Sequence, residues 1–486
     1  MTEQGVRWTA EQVLALAPDD ASRKAGARLG GAGPWSQTGG SASGAVWGLC
    51  KGSGSKPYRT VVDLSGPAYK CSCPSRKFPC KHALGLLLLW AAEGLEDAAG
   101  TSAGRPADTS AGTSTGAPDW ADEWLAERAA KAARPAADRS DRAGPADAEG
   151  ARKRAERRAA RVGAGVTELE QRLADLVRGG LAGQERAGYA AWEETAARMV
   201  DAQAPGLAAR VRELGTIPSC GTGWPARMLE EAALLHLLDR AWLGVSGLPE
   251  PLAATVRSRL GLQPRAEGEA VRDHWLVLAQ YDTASPDGRL TTRRIWLRGL
   301  ASGRPALVLD FGPPGRPPGL ALPVGLVLEA EARFRPGSAG LRADLGERFG
   351  PAAPCRTAPT GVSTAAALEA YGTALREDPW LESWPVVLGP VVPIPGGPQG
   401  GQREGGQDDR EGPQQPHKTW QLADAEGASA LPVPLTGAGS RPGTGLWQLA
   451  ALSGGGPLTV FGECGHRGFT PLTAWQPGSS EPVVLG

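Results

Sequence analysis

The sequence contains few of the features that mark a charged, secreted or membrane-spanning chain. Its 52 basic and 52 acidic residues cancel, which excludes a polycation that would bind nucleic acid along its whole length. The number of cysteines, seven, is odd, and four of them (Cys50, Cys220, Cys355 and Cys464) are widely dispersed and show no disulfide framework. The longest apolar run, residues 83–92, is about half a membrane span, and we interpret it as a buried helix.

Signals for export and for catalysis are also lacking. The first residues show no basic start followed by an apolar stretch, so we expect no signal peptide. Acidic residues are plentiful, but none belongs to a recognisable acid–base motif. We therefore expect a cytoplasmic protein that is not an enzyme, with no small-molecule substrate and no membrane contact. A reducing cytoplasm would also keep its thiols available for metal.

Three cysteines and one histidine cluster within twelve residues, as Cys71, Cys73, Cys80 and His82. Side chains two apart on an extended segment share a face, so the C-x-C pair presents both thiolates in one direction. The C-x-H pair closes the set from the other side, where the chain turns into a helix. Three thiolates and an imidazole complete a tetrahedral zinc site and leave no position for water. We predict one structural zinc ion.

Three other interpretations of the cluster are weaker. A disulfide needs an oxidising compartment, which nothing in the sequence indicates. Reactive thiols would leave the spacing of His82 unexplained. Burial as small apolar side chains conflicts with the polar loop between the cysteines, which contains Ser75, Arg76 and Lys77.

The cluster and its flanks resemble the SWIM-type zinc finger, which is defined by C-x-C, a variable gap and C-x-H on a strand-strand-helix unit. The stretch that carries the resemblance is KPYRTVVDLSGPAYKCSCPSRKFPCKHALGLLLLW, residues 56–90. It is similar to the version in long bacterial SWIM proteins, where the finger lies near the N-terminus. The resemblance implies a DNA-binding or protein-interaction module, and MoxR-type AAA+ ATPases with von Willebrand A-domain proteins as partners.

Basic residues are concentrated around this cluster. Only nine residues of the chain are lysines, and five of them lie between residues 51 and 81. Asp63 is the single acid among seven basic residues there, and zinc with three thiolates adds only about one negative charge. Part of the positive charge stabilises the thiolates, and the surplus predicts a face for phosphate or an acidic partner. The predicted binding face is Lys56, Arg59, Arg76, Lys77 and Lys81.

Periodicity and composition predict an α+β protein: a small zinc-bound strand-strand-helix finger, a helical middle domain and a mixed or antiparallel β-rich C-terminal domain. At 486 residues, more than one core is expected. The predicted divisions are an N-terminal domain at 1–93 with the finger at about 56–93, a flexible linker at 94–160 with an isolated amphipathic helix at about 119–133, a helical domain at 161–262, and an α+β domain at 263–486 with a disordered insertion at about 395–417.

Two segments between the finger and the helical domain have open alternatives. The 119–133 helix places Trp120 and Trp124 on one face, and it either docks on its own protein or serves as a tethered recognition helix for a partner groove. The basic run ARKRAERRAAR at 151–161 is either a nucleic-acid patch or the solvated start of a long helix. We favour docking for the first segment and the solvated helix for the second.

Four further predictions concern single segments of the chain. Gly39 and Gly40 predict a glycine-rich turn. The segment LWQLAAL, at 446–452, predicts a strand within a tail that starts at Thr419. That tail is short for an independent core, so we expect it to complete the sheet that begins at His274. Cys464 and His466 repeat the C-x-H spacing, but no second C-x-C completes a metal site.

Two functions follow from these observations. In the first, the finger is a protein-interaction module of a non-catalytic adaptor. In the second, the basic face of the finger binds DNA or RNA. Neutral overall charge and the lack of a second basic, aromatic-bearing module favour the adaptor.

Overall fold

The computed structural model describes most of the chain, in five ranges. These are 8–93 without 42–43, 53, 55, 65–67 and 76; 117–133; 148–262 without 185–189 and 222; 268–396 without 269, 286–287, 289 and 314–317; and 420–485 without 435–443. The predicted α+β class is confirmed, with strands and a helix at the finger, a helical middle and antiparallel sheets towards the C-terminus. Residues 94–116 and 134–147 of the linker predicted at 94–160, and residues 397–417 of the insertion predicted at about 395–417, lie outside the described residues.

An antiparallel four-stranded sheet with helices on both faces forms the N-terminal region. Its order is β1-β2-β3-β4, so the finger strands continue a larger sheet. The helices are α1 (Ala10–Leu14), α2 (Asp20–Ala27), α3 (Lys81–Glu93) and α4 (Asp119–Ala133), and the strands are β1 (Trp35–Ser41), β2 (Ala45–Cys50), β3 (Tyr58–Asp63) and β4 (Ala68–Cys71).

The predicted turn at Gly39 and Gly40 is wrong, because both residues lie inside β1. Gly39 pairs with Trp47 across the sheet. A Cβ atom at Gly39 would come within 2.8 Å of the Trp47 ring. The glycine therefore makes room for an indole that lies over its strand, and the chain reverses instead at Gly44, where φ is +85°.

Helices fill the middle of the chain and pack around a core of their own. They are α5 (Ala148–Gly179), α6 (Ala190–Asp201), α7 (Pro205–Thr216), α8 (Trp224–Leu243) and α9 (Glu250–Arg259). Leu169, Leu173 and Leu176 of α5 are buried against α8, as their helical spacing predicts. The basic half of α5 is exposed, which agrees with the solvated-helix interpretation of the run at 151–161.

Two antiparallel sheets form the C-terminal region, each with six strands among the described residues. The first has the order β10-β8-β5-β6-β7, with β9 on β8. Its strands are β5 (Ala270–Ala284), β6 (Thr291–Gly299), β7 (Pro305–Gly312), β8 (Leu326–Phe334), β9 (Ala343–Arg348) and β10 (Ala353–Pro354).

The second sheet has the order β13-β12-β11-β14-β15-β16, and two helices belong to the same part of the chain. Its strands are β11 (Ser383–Ile394), β12 (Trp420–Asp424), β13 (Ala430–Val433), β14 (Leu458–Gly465), β15 (Gly468–Trp475) and β16 (Val483–Val484). The helices are α10 (Thr364–Glu377), whose first turn is capped by the Ser363 side chain, and α11 (Thr444–Ser453).

Two predictions for the tail need correction. The tail strands pair with β11 rather than with the sheet that begins at His274, and the two sheets meet face to face through Trp296, Phe461 and Trp475. The segment at 446–452 is part of the helix α11 and not a strand. Its buried leucines, Leu446 and Leu449, are three residues apart, which is a helical period.

The core beneath the finger is continuous with that of the first C-terminal sheet. The Trp8 indole donates a hydrogen bond to the Ala352 carbonyl at 3.0 Å, and the Gln12 amide donates one to the Val324 carbonyl at 3.3 Å. The finger therefore packs on a large apolar core that it shares with this sheet. The domain boundaries drawn from the sequence stay a prediction.

Candidate metal centre

The four predicted ligands converge on one point. The Sγ atoms of Cys71, Cys73 and Cys80 and a ring nitrogen of His82 all lie within 4.8 Å of one another. The Cys71 Sγ is 3.7 Å from the His82 Nδ1. A tetrahedral zinc ion with bonds of about 2.3 Å to sulfur separates its ligands by roughly 3.8 Å, so the donor set fits zinc. Cys71, Cys73, Cys80 and His82 are positioned to bind one zinc ion.

The C-x-C pair is set by the hairpin of β3 and β4. Thr60 pairs with Cys71 across the two strands. Just beyond the end of β4, the Ser72 N–H donates to the Arg59 carbonyl at 3.0 Å, and the Ser72 hydroxyl accepts from the Arg59 N–H at 2.9 Å. These bonds fix the backbone between Cys71 and Cys73 and therefore the positions of both cysteines.

The C-x-H pair is set by the start of α3. The Cys80 carbonyl accepts from the Leu84 N–H at 3.0 Å, which closes the first helical turn. Residues 83–89 of this helix are all buried, and Gly85 packs so closely against Leu29 that a Cβ atom there would come within 2.6 Å of it. Because α3 is anchored in the core, His82 and Cys80 approach the strands in one orientation.

A second set of residues surrounds the ligands. The Thr60 hydroxyl, fully buried, lies 3.2 Å from the Cys71 Sγ. The Tyr58 ring lies against the His82 imidazole with 4.7 Å between ring centroids. Contacts of this kind fix the orientation of ligands and exclude water from a metal site. Tyr58 and Thr60 are two residues apart in β3 and share one face of it, but the sequence does not indicate that they reach the ligands.

The electrostatics of the thiols show why the site calls for a cation. Hydrogen bonding from the Cys80 thiol, with smaller contributions from His82 and Thr60, lowers the pKa of Cys71 to about 4. The same contact with Cys71 raises the pKa of Cys80, and burial raises the pKa of Cys73. Without metal, the protein stabilises one thiolate at the expense of the other two. A divalent cation supplies the charge that three thiolates together require.

Comparison with protein-family models gives two matches. A model of the SWIM zinc finger matches residues 58–91, the hairpin and helix that hold the four ligands. The chain carries a SWIM-type zinc finger. A model of the SWIM-associated four-helix bundle domain matches residues 157–260, so the finger and the helical region form a known pairing. The two matches cover under a third of the chain, and searches of the curated proteins and of the solved structures gave no match.

The residues of the predicted binding face have different surroundings. Lys56, Arg59 and Lys81 are exposed; Lys81 lies between the ligands Cys80 and His82, and the Arg59 backbone bonds to Ser72 between the other two ligands. Lys77 pairs with Asp19 at 2.6 Å, and this pairing lowers the pKa of Asp19 to about 2. Arg76 lies outside the described residues. Whether this face binds a partner stays a prediction.

The amphipathic helix α4 packs on the open face of the finger sheet. Ala121 is fully buried against Trp47 and Val61. The Arg128 guanidinium donates to the Asp63 carboxylate at 2.6 Å. Of the two interpretations of this helix, docking on its own protein agrees with the structure, because Trp120 and Trp124 of α4 contact the chain's own sheet.

The other histidine and cysteine candidates lie apart from any metal cluster in the described ranges. Cys464 is buried in the second sheet, which raises its pKa to about 11. His466 follows the end of β14, and its Nε2 lies 3.0 Å from the Glu230 carboxylate of α8. The His236 side chain is more than half exposed, and its Nδ1 lies 2.8 Å from the Glu170 carboxylate. None of the helices in these ranges is long and apolar enough to cross a membrane.

Proposed function

We propose that the protein is a non-catalytic, cytoplasmic adaptor that binds protein partners through the basic face of its zinc finger. The observation that supports this function is a closed four-ligand site with exposed cations around it. A site with four protein ligands has no open coordination position, so the metal would stabilise the fold and not catalyse a reaction.

The architecture supports a role in binding. The metal fixes the β3–β4 hairpin to α3, and α3 is embedded in the core. Lys56, Arg59 and Lys81 therefore stand on a rigid support, which reduces the ordering cost when a partner binds. Long bacterial SWIM proteins, which this chain resembles, are thought to act beside MoxR-type AAA+ ATPases and von Willebrand A-domain proteins. Partners of that class are our first candidates.

The test is affinity capture from the native host with the full-length chain, with and without nuclease treatment. Changing Lys56, Arg59 and Lys81 together to Gln should keep the zinc and remove most of the captured protein. A matched control changes three exposed arginines far from the finger, Arg178, Arg240 and Arg376, to Gln. The adaptor proposal fails if the finger variant and the control capture the same proteins in equal amounts.

The alternative function is binding of DNA or RNA by the basic face of the finger. One observation favours it: the first half of α5 exposes a second row of cations. Two of them are balanced within the helix, since Arg152 and Lys153 pair with Glu156 and Glu149. Arg154, Arg157, Arg158 and Arg161 are the remaining cations of this row.

Salt dependence separates the two functions. Phosphate neutralisation releases counterions, so affinity for a nucleic acid falls steeply as salt rises. We expect a single-stranded and a double-stranded oligonucleotide to bind weakly, with nuclease leaving the captured proteins unchanged. Tight, salt-sensitive binding of either oligonucleotide that is lost in the Lys56, Arg59 and Lys81 variant would establish the alternative.

A further inference from the structure

A cleft of about 530 Å³ lies beside the zinc site, between α2 and the turn that follows Cys73. This volume is within the range of pockets that take small ligands or side chains, about 300–1,000 Å³. One wall belongs to α2, outside the finger motif, and the other to the finger itself. The cleft is therefore built jointly by the finger and the helix packed beside it.

Apolar side chains line the cleft beside two cations. Ala21 and Ala25 of α2, with Leu29 just past its end, form an apolar wall that we call the floor, and Pro74 also lines the cleft. Ser22, Ser75 and the ligands Cys73 and His82 complete the lining. Lys51 and Lys81, both exposed, stand at the rim. Neither lysine takes part in the ion pairs found in the described part of the chain. Their charge exceeds the single negative charge of a zinc ion with three thiolates, so the cleft stays positive.

The aromatic ring in the cleft is not open for stacking. One side of Tyr58 contacts His82, with 4.7 Å between the centroids. The Gly52 backbone lies so close to the ring that a Cβ atom there would come within 2.6 Å of it. Nucleic acids that bind in clefts of this kind stack their bases on free aromatic faces. An occupant with an apolar side chain as its anchor suits the cleft better than a nucleobase that must stack.

We propose that this cleft binds an acidic segment of a partner protein, with one aliphatic or aromatic side chain on the alanine floor and its carboxylates at Lys51 and Lys81. The proposal rests on the proposed function, since it names the chemistry by which the finger recognises a protein. Complementary charge directs the encounter, and the buried side chain supplies the anchor.

Two variants with matched controls test the cleft without touching a ligand. Ala21→Trp fills the floor from an exposed position of α2. Ala27→Trp makes the same change on the same helix, at an exposed residue that does not line the cleft. Lys51→Glu reverses the rim charge, and Lys70→Glu makes the same reversal on the exposed side of β4. All four variants should retain one zinc per chain, which shows that they fold.

The probe is a displayed library of random dodecapeptides, selected on the full-length wild-type chain. We expect the enriched peptides to place two or more acidic residues next to Leu, Ile or Phe. A synthetic copy of the most enriched peptide should bind Ala21→Trp and Lys51→Glu at least about tenfold more weakly, a loss of about 1.4 kcal/mol. Its affinity for Ala27→Trp and Lys70→Glu should stay close to that of the wild type.

Several results would overturn the proposal. One is a selection without acidic enrichment, and another is a peptide that binds Ala21→Trp as well as Ala27→Trp. Binding of a single-stranded oligonucleotide that Ala21→Trp alone abolishes would assign the cleft to nucleic acid. If the Lys56, Arg59 and Lys81 variant loses its captured proteins while Ala21→Trp keeps them, the adaptor function stands and the cleft proposal fails.

Discussion

The finger and the helical bundle both bury polar groups, but they reduce the cost of that burial in opposite ways. In the finger, four donor atoms converge, and three of them need a cation to be charged together. In the bundle, Asp239 of α8 is fully buried, and neither carboxylate oxygen has a hydrogen-bond partner in the described part of the chain. Burial, with the nearby Glu170 carboxylate, raises the pKa of Asp239 to about 8.

The difference shows two solutions to the cost of burying charge. A cluster of converging ligands is stabilised by a metal, and the binding energy of the metal becomes folding energy. A lone carboxyl in an apolar core is stabilised by a proton instead, because the neutral form is cheaper to bury. The finger should therefore depend on zinc, and the bundle should depend on pH.

Loss of the metal is expected to have the largest effect. Cys73→Ala removes one ligand, and structural zinc contributes roughly 10–16 kcal/mol of apparent binding free energy in comparable peptides. We expect zinc content to fall from one ion per chain to near zero and amide protection to be lost in β4 and the start of α3. The two six-stranded sheets should keep their amide protection, because the strands within each sheet pair with one another and not with the finger. Elemental analysis and hydrogen exchange measure both effects.

Cys50→Ala is the matched control for the zinc prediction. Cys50 is fully buried in the same sheet, at the end of β2, but it is not a ligand. This variant should keep one zinc per chain. A wild-type chain that holds well under one zinc, or a Cys73→Ala variant that holds as much as Cys50→Ala, would contradict the prediction.

The next effect concerns the pH dependence of the bundle. The folded-state pKa of Asp239 lies above the usual value, so the folded chain binds the proton more tightly. The stabilisation is complete below pH 4 and is lost as pH rises through about 8. At about 1.4 kcal/mol per unit, the loss between pH 5 and pH 9 is on the order of 4 kcal/mol. Asp239→Asn cannot ionise and should remove this slope.

Hydrogen exchange in α8, corrected for the intrinsic pH dependence of amide exchange, gives the local free energy of opening. The control is Asp175→Asn on α5, whose carboxylate is mostly exposed. It should leave the slope unchanged. An Asp239→Asn variant with the same slope as the wild type would mean that Asp239 ionises freely.

The zinc site could be predicted from the sequence because its information is local. Cys71, Cys73, Cys80 and His82 fall within twelve residues, and the number and spacing of the ligands suffice to identify the metal. The same holds for the capped start of α10 at Ser363, where one side chain satisfies the first turn. Local chemistry of this kind needs no knowledge of the rest of the fold.

The errors arose where distant residues decide the structure. Gly39 lies in a strand because Trp47 occupies the space above it, and the sequence around Gly39 contains no sign of that ring. The tail strands pair with β11 because Trp296, Phe461 and Trp475 fill the space between two sheets. Asp239 sits in a helix of ordinary pattern, so its burial follows only from the packing of α5 against α8.

The smallest effect should come from undocking α4, which covers the finger sheet without touching the metal site. Ala121→Glu places a carboxylate against Trp47 and Val61, and burying an unpaired polar group costs about 1–3 kcal/mol. We expect α4 to detach, with faster proteolysis between residues 117 and 133 and unchanged zinc content. Ala126→Glu makes the same change at an exposed position of the helix and should have no effect. If Ala121→Glu also loses zinc, α4 supports the metal site, and the finger depends on a segment outside its own motif.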